Sequence, residues 1–312
     1  MTTAENSSLD LGTLGVAMVT PFTEDASAVD HDALRVLTEH LLDIGHDLLV
    51  VNGTTGESPT TSDEEKLAIL RTVKETAGDR AQVMAGIGSN STAHTAALAR
   101  ATAATGCADS LLVVTPYYNK PSQGGVKAHF RAVAEASDLP ILLYDIPGRA
   151  GIPITPETAI ELSAIPTIRG VKDARGDLHD GSDLMRITKL EIYSGEDALN
   201  LPWLSVGASG IISVCSHVTG RLDRMQIDAA HRGDLITAQR IHSSRIPFVN
   251  ALMNQVPGAV AVKHAMEHFG ILPHATVRLP LTPADPQQIA RITASSSALA
   301  GIVKQFERGD KK

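Results

Sequence analysis

Short apolar segments that recur along the chain constrain its fold more than any other feature of its 312 residues. Each segment is apolar throughout rather than alternating, as expected for strands buried on both faces, and each is followed by an amphipathic stretch. There are eight: Gly15–Thr20, Leu48–Val51, Val83–Ile87, Ser110–Thr115, Ile141–Tyr144, Ile168–Lys172, Leu190–Ser194 and Gly210–Val214. This order predicts a succession of parallel strand-helix units.

Helix signals lie between these segments. Ser62 and Glu65 have the spacing of a capping box, and Gly78 is the expected stop of that helix. Thr155 precedes Pro156, which suits the first helical turn. Eight uninterrupted units predict an α/β fold, a closed (β/α)8 TIM barrel. A dinucleotide-binding sheet is disfavoured because no G-x-G-x-x-G motif follows the first segment.

After about residue 222 the pattern becomes helical only. The predicted helices are Leu222–Arg232, Leu235–Val249, Val260–Phe269 and Pro286–Glu307. We therefore predict a barrel catalytic domain over residues 13–221 and a small C-terminal helical domain over residues 222–312. Residues 1–12 lack a basic start and an apolar run, so we expect a flexible tail and no signal peptide.

Charge and cysteine content narrow the function classes. The formal net charge is −8 and Lys and Arg form no cluster, which argues against nucleic acid or an anionic membrane as partner. Cys107 and Cys215 match no metal or redox spacing, as expected in a reducing compartment. The uncharged stretch Ala198–Gly220 is too polar to span a membrane. We expect a cytoplasmic enzyme that acts on small molecules.

In such barrels the active site lies at the carboxyl ends of the strands. Four strand ends carry reactive or polar side chains: Gly53–Glu57, Thr115–Pro121, Tyr144–Arg149 and Gly170–Asp173. Lys172 closes an apolar strand, where loss of solvation favours a neutral amine that can attack a ketone. The alternative is an ion pair with Asp173 or another carboxylate at the rim.

The neighbouring strand ends suggest which substrate the amine meets. Thr54 and Thr55, with backbone N–H groups between two glycines, suit a carboxylate or phosphate, although such a turn also occurs without a ligand. Arg149 suits a second carboxylate or is simply solvated. Tyr117 and Tyr118 either relay protons or pack against other residues. Together these groups indicate Schiff-base chemistry on a keto acid.

The segments GTTGES, TPYYNKP, LYDIPGRAG and GVKDARGD resemble the dihydrodipicolinate synthase family of the pyruvate-dependent aldolase superfamily. The resemblance implies condensation of pyruvate with L-aspartate 4-semialdehyde, the committed step of diaminopimelate and lysine biosynthesis. It implies that Lys172 forms the imine with pyruvate. It also implies a hydroxyl relay of Thr54, Tyr144 and Tyr118, with Tyr118 contributed across a tight dimer interface.

The resemblance further implies the groups that bind substrate. Thr55 would hold the pyruvate carboxylate, and Arg149 the carboxylate of the semialdehyde. Gly195 would line the pocket, and a backbone carbonyl near Ile212 would face the lysine. No metal and no organic cofactor are implied, and family members are mostly homotetramers built as dimers of dimers.

Three alternatives remain open at this stage. Another aldolase of the superfamily, acting on N-acetylneuraminate or a 2-keto-3-deoxy sugar acid, is disfavoured by the intact Ile146–Arg149 pattern. His264, Glu267 and His268 match the H-x-x-E-H pattern of zinc peptidases, but so short a pattern arises easily by chance. A catalytically silent barrel would have no reason to keep the whole set of reactive residues.

Two histidines depart from the family pattern. His217 stands where many members have Asn, and we do not expect it to touch the reacting atoms. His94 stands where lysine-inhibited members use a carboxylate to hold the ammonium group of the inhibitor. Because an imidazole is a poor ammonium site, the sequence predicts weak or no inhibition by lysine.

Overall fold

The fold of residues 11–308, the part of the chain that the computed structural model describes, is a closed barrel of parallel strands. Neighbouring strands follow one another in chain order, and the last pairs with the first. The strands are β1 Leu14–Ala17, β2 Leu48–Val51, β3 Gln82–Gly86, β4 Ser110–Val114, β5 Ile141–Asp145, β6 Ile168–Asp173, β7 Glu191–Ser194 and β8 Gly210–Ser213. The predicted TIM barrel is confirmed.

Helices alternate with the strands and then continue without them. Up to β8 they are α1 His31–Asp43, α2 Asp63–Ala77, α3 Thr92–Thr105, α4 Gln123–Ala134, α5 Pro147–Ala150, α6 Pro156–Leu162, α7 Leu178–Ile187 and α8 Asn200–Ser205. After β8 come α9 Ser216–His231, α10 Leu235–Met253, α11 Gly258–His268 and α12 Pro286–Glu307. Short 3-10 turns cover Ser58–Thr60 and Asp197–Leu199. Within residues 11–308, none of these helices combines the length and apolar character needed to cross a bilayer.

Local chemistry explains the helix boundaries. The Ser62 side chain accepts from the Glu65 backbone N–H, and the Glu65 carboxylate accepts from the Ser62 N–H, so the predicted capping box is present. Gly78 ends α2 with a positive φ of 57°. Thr155 caps α6, with Pro156 at its first position. These interactions satisfy backbone groups that the helix itself leaves unpaired.

The chain leaves the sheet earlier after β1 than the sequence predicts. The predicted strand extends to Thr20, whereas β1 ends at Ala17. The Met18 N–H still donates to the Val50 carbonyl at 2.9 Å, but the Val19 N–H donates to a ring nitrogen of His217 at 3.1 Å. A side-chain acceptor from α9 has thus replaced the neighbouring strand.

Apolar side chains fill two layers. One cluster occupies the barrel interior and includes Val50, Met84, Leu112, Leu142 and Ile212. A larger cluster lies between the strands and the surrounding helices. Because consecutive strand residues point to opposite faces, uniformly apolar strands supply both layers.

Helix α9 joins the barrel to the C-terminal helices. It begins at Ser216, directly after β8, and runs through the predicted domain boundary between residues 221 and 222. Gly220 allows this close packing, since a Cβ atom there would lie 2.8 Å from atoms of His46 and Ile44. The domain division itself stays a prediction. Residues 1–10 of the predicted tail and residues 309–312 lie outside the described residues, whereas Leu11 is buried.

A buried ionic cluster, here called the Arg245 cluster, connects α10 to the barrel. Arg245 is fully buried, with its Nε 2.5 Å from an Asp223 oxygen and a terminal nitrogen 3.4 Å from an Asp197 oxygen. Asp197 also accepts from the backbone N–H groups of Val214 and Cys215, at 3.0 and 3.1 Å. The guanidinium therefore compensates two buried carboxyl groups that come from different elements.

We expect Arg245→Met to lower the free energy of unfolding by about 3–5 kcal/mol, because it leaves buried carboxylates without their cation. Urea unfolding followed by the fluorescence of the buried Trp203 measures this change. Arg35→Met is the matched control, since Arg35 pairs with Asp32 at the exposed surface. The control substitution should lower the free energy of unfolding by about 0.5 kcal/mol or less. An equal effect of both substitutions would contradict the prediction.

Candidate active site

Lys172 lies on β6 directly opposite Tyr144 on β5. Tyr144 belongs to the apolar cluster inside the barrel, and the Lys172 Nζ atom lies 4.5 Å from the centroid of its ring. Lys172 is 4% exposed. The structure thus places the lysine amino group inside the barrel, against the tyrosine ring.

The neighbouring aspartates face the other way. Asp145 and Asp173 also lie opposite each other, and alternation along a strand directs them away from the side of Tyr144 and Lys172. Asp173 accepts from the backbone N–H groups of Arg175 and Gly176, at 3.0 and 2.7 Å. Lys172 has no ion-pair partner within 4.0 Å in the described part of the chain. The alternative of a structural ion pair between Lys172 and Asp173 is therefore wrong.

The end of β7 completes the surroundings of the lysine. A Cβ atom at Gly195 would lie 3.0 Å from both Cγ and Cε of Lys172, so glycine leaves room for the lysine stem. Ile212 is fully buried in the barrel interior, and the role of its carbonyl stays a prediction. Burial raises the pKa of the Glu196 carboxyl, and the nearby Lys172 charge acts in the opposite direction. Glu196 was not among the predicted site residues, although it directly follows Gly195.

A cavity of about 210 Å³ opens at the mouth of the barrel. Three of the predicted site residues, Thr54, Tyr144 and Arg149, line it, together with Tyr117. A second cavity of about 200 Å³ shares Thr54 and Arg149 with the first and is also lined by Thr55. The remaining wall of the second cavity includes Met253, Pro257 and Gly258 from the C-terminal helical region.

The turn that carries Thr54 and Thr55 is closed by its own backbone. The Gly56 N–H donates to the Gly53 carbonyl and the Glu57 N–H to the Thr54 carbonyl, both at 3.1 Å. Glu57 adopts a φ of 55°, in the left-handed region that costs energy for a residue with a side chain. Contacts of the Glu57 side chain must therefore hold this conformation.

Those contacts form a second, largely buried group, here called the Glu57 cluster, of Glu57, Lys263, Arg278 and Phe22. The Glu57 carboxylate accepts from Lys263 Nζ at 2.5 Å and from the Arg278 N–H at 2.9 Å. Both cationic side chains also lie over the Phe22 ring, at 4.3 and 4.2 Å from its centroid. Burial lowers the pKa of Lys263 to about 8, while Glu57 opposes this shift. The cluster was not predicted, and its one signal in the sequence is a lysine within the apolar run of α11.

Tyr118 is a predicted site residue that lies apart from the cavities at the mouth. It is 87% exposed, with a φ of 73°, and does not line either cavity at the mouth. Tyr117 lines the cavity instead. The role of Tyr118 in the relay stays a prediction.

The two histidines of the H-x-x-E-H pattern have separate structural contacts. His264 accepts from the Ala284 N–H at 3.3 Å, whereas His268 lies 3.1 Å from the Ser297 hydroxyl. No group of three or more His, Cys, Asp or Glu suited to a metal occurs in residues 11–308.

His94 lies 2.8 Å from an Asp63 carboxylate oxygen, so the position predicted to weaken lysine inhibition carries an imidazole paired with an acid.

The barrel holds a buried lysine beside a tyrosine, and its mouth carries a turn rich in glycine and threonine and an arginine. This combination defines a lyase of the class I aldolase type. The model of the dihydrodipicolinate synthetase family matches residues 10–298. The chain belongs to this family.

Named relatives agree with this assignment. The 4-hydroxy-tetrahydrodipicolinate synthase of Kineococcus radiotolerans is 52% identical over 93% of this chain and 94% of its own. The dihydrodipicolinate synthase of Bacillus anthracis superposes with a TM-score of 0.89 at 38% identity, covering 93% and 98% of the two chains. A chloride-inhibited dihydrodipicolinate synthase from Acinetobacter baumannii, complexed with pyruvate, superposes with a TM-score of 0.85 at 34% identity. The match covers 92% of this chain and 99% of the other. The predicted activity, 4-hydroxy-tetrahydrodipicolinate synthase, is confirmed over the zinc peptidase and the other aldolases.

Asp145, behind the reactive face of β5, is an unusual carboxyl group. It is 4% exposed and accepts from the Ile154 N–H at 3.1 Å. Burial raises its pKa to about 7, and the facing Asp173 adds to this shift. The folded protein therefore favours the protonated acid, whereas the unfolded chain releases its proton near the ordinary pKa of 3.8. The contribution of Asp145 to stability is greatest below pH 4 and is lost as the pH rises to 7.

Asp145→Asn keeps the acceptor for Ile154 and cannot ionise. We expect the variant to become more stable relative to the unsubstituted protein as the pH rises. The difference between their free energies of unfolding should be about 2 kcal/mol larger at pH 8 than at pH 5. Urea unfolding at the two pH values measures the difference, with the exposed Asp32→Asn as control. An advantage that does not change with pH would contradict an ionisable, buried Asp145.

Proposed function

We propose that the protein condenses pyruvate with L-aspartate 4-semialdehyde through an imine on Lys172, as the committed step of diaminopimelate and lysine biosynthesis. The observation that carries the proposal is the buried Lys172 amino group, which lies against the ring of Tyr144. Tyr144 in turn lines the cavity at the barrel mouth. The pyruvate held by the Acinetobacter relative supports the choice of the first substrate.

The reaction balances with these two substrates alone. The neutral amine attacks C2 of pyruvate, and loss of one water gives the imine. Removal of a methyl proton gives an enamine, whose carbon attacks the aldehyde of the second substrate. The amine of that substrate then attacks C2, which closes the ring and releases Lys172. We propose that no metal or organic cofactor takes part, because the imine itself accepts the electron pair.

The cavity residues divide the remaining work. Thr55 and the backbone N–H groups of its turn bind the pyruvate carboxylate, while Arg149 binds the carboxylate of the semialdehyde. Thr54 and Tyr144 pass protons to the reacting oxygen atoms. Both line the same cavity, which supports their joint action. The carbonyl near Ile212 is proposed to face the amine.

We propose a homotetramer built as a dimer of dimers, in which Tyr118 completes the relay of the adjacent protomer. Its exposed side chain and strained backbone support this role, because a bulky residue with positive φ needs compensating contacts.

A cytoplasmic location is proposed as well. It is supported by Cys107 and Cys215, which are both unpaired.

Borohydride reduction in the presence of pyruvate should add one reduced pyruvyl group to the protein, at Lys172. Lys172→Arg should abolish the adduct and lower kcat by at least about 10³-fold, since the covalent route is lost. Intact mass and peptide mapping measure the adduct. An adduct that persists in the variant, or on another lysine, would refute the assignment.

Arg149→Lys should raise the KM for the semialdehyde by about tenfold, because an ammonium cannot replace the planar two-point contact of the guanidinium. Trapping of pyruvate on Lys172 should stay unchanged, which serves as the internal control. Steady-state kinetics with each substrate varied separately measures the effect. A matching rise in the pyruvate KM would place Arg149 at the first substrate instead.

Lysine should inhibit the enzyme weakly or not at all. The position of the expected carboxylate holds His94, and its paired imidazole is a poor partner for an ammonium group. Initial rates measured against lysine concentration test this expectation. Strong inhibition below the millimolar range would show that another group binds the inhibitor.

A further inference from the structure

His217 lies in the first turn of α9 and is fully buried. Its Nδ1 atom lies 2.8 Å from the Val214 carbonyl oxygen, and its Nε2 atom 3.1 Å from the Val19 backbone nitrogen. A carbonyl can only accept and an N–H can only donate, so Nδ1 carries the proton and the ring is neutral. Burial lowers the pKa of His217 to about 4, in agreement with this form.

The contact with Val19 continues to the substrate turn. Val19 is buried and has left the β1 ladder, so its N–H needs a partner from elsewhere. The next residue, Thr20, is also buried, and its hydroxyl donates to the Gly56 carbonyl at 2.8 Å. Gly56 closes the turn that carries Thr54 and Thr55. An unbroken path of covalent and hydrogen bonds thus runs from α9 to this turn.

We propose that His217 is a positioning residue for pyruvate binding, acting through Val19, Thr20 and Gly56 on the turn of Thr54 and Thr55. This inference rests on the proposed role of that turn in holding the carboxylate. His217 itself lines neither of the two cavities at the mouth. Since the turn binds pyruvate before and during the reaction, its misplacement weakens binding and raises the pyruvate KM more than it lowers kcat.

Replacing His217 by Asn or by Gln tests its two ring contacts one at a time, because the two amides differ in length. The amide of His217→Asn reaches the place of Nδ1 and keeps the contact with Val214, but it leaves the Val19 N–H without an acceptor. The longer His217→Gln places its amide oxygen near Nε2 and keeps the acceptor for Val19. Each variant loses one hydrogen bond, so thermal midpoints should fall by similar amounts.

The expected kinetic result is asymmetric. His217→Asn should raise the pyruvate KM about five- to tenfold, whereas His217→Gln should stay within about twofold of the unsubstituted enzyme. Because the same turn carries Thr54 of the proton relay, kcat should also fall in His217→Asn, by about threefold and so by less than KM rises, while in His217→Gln it should stay within about twofold. Equal values of KM for the two variants would show that His217 is only structural and would overturn the proposal.

Thr20→Val tests the same path from its other end, since it removes the hydroxyl at nearly constant volume. It should raise the pyruvate KM, and combining it with His217→Asn should add little, because both interrupt one path. Thr76→Val, which removes a threonine hydrogen bond within α2, is the control and should leave KM unchanged. If the His217 variants do not fold, an unchanged KM in Thr20→Val overturns the proposal.

Borohydride trapping of the unsubstituted enzyme separates the two levels of inference. Absence of a pyruvyl adduct on Lys172 would overturn the proposed function and this inference together. An adduct combined with equal KM values for His217→Asn and His217→Gln would overturn only the positioning role of His217.

Discussion

The parallel pairing of β5 with β6 is the constraint on which the reactive site depends. Its register places Tyr144 opposite Lys172 and Asp145 opposite Asp173. Because side chains alternate between the two faces of a strand, one pair enters the barrel and the other faces the helical layer. A shift of one residue would bring the aspartates inside and send the amine out. Closure of the sheet prevents this shift, since every strand is held on both sides.

The C-terminal helices contribute to the site as well as to the fold. Lys263 of α11 enters the Glu57 cluster and holds the residue that follows the substrate turn. Arg245 of α10 reaches Asp197, which also binds backbone groups at the end of β8. His217 of α9 supplies the acceptor for Val19. Each contact places a buried polar or charged group from a C-terminal helix at a loop around the barrel mouth.

Buried ionisable groups near the mouth fall into two kinds. Glu57 and Lys263 are paired, and truncating one member leaves the other charge buried at high cost. Asp145 and His217 have no such partner among the described residues, and burial disfavours the charged form of each, which raises the pKa of Asp145 to about 7 and lowers that of His217 to about 4. The region around the mouth therefore combines paired charges, which hold the loops, with single buried groups whose charged forms burial disfavours.

Local pattern determined much of this protein. Continuous apolar segments sufficed to predict the strands, and capping residues sufficed for the ends of α2 and α6. The chemistry of four strand ends singled out Thr54, Thr55, Tyr144 and Arg149, which line the cavities at the mouth, and Lys172, which is buried against Tyr144. The Glu57 cluster, the contact of His217 with Val19 and the Arg245 cluster could not be predicted. Each joins residues far apart in the chain, and the pairing of such groups depends on how the helices pack. Only the folded chain decides which buried charge meets which partner, because burial and distance set that interaction and sequence order does not.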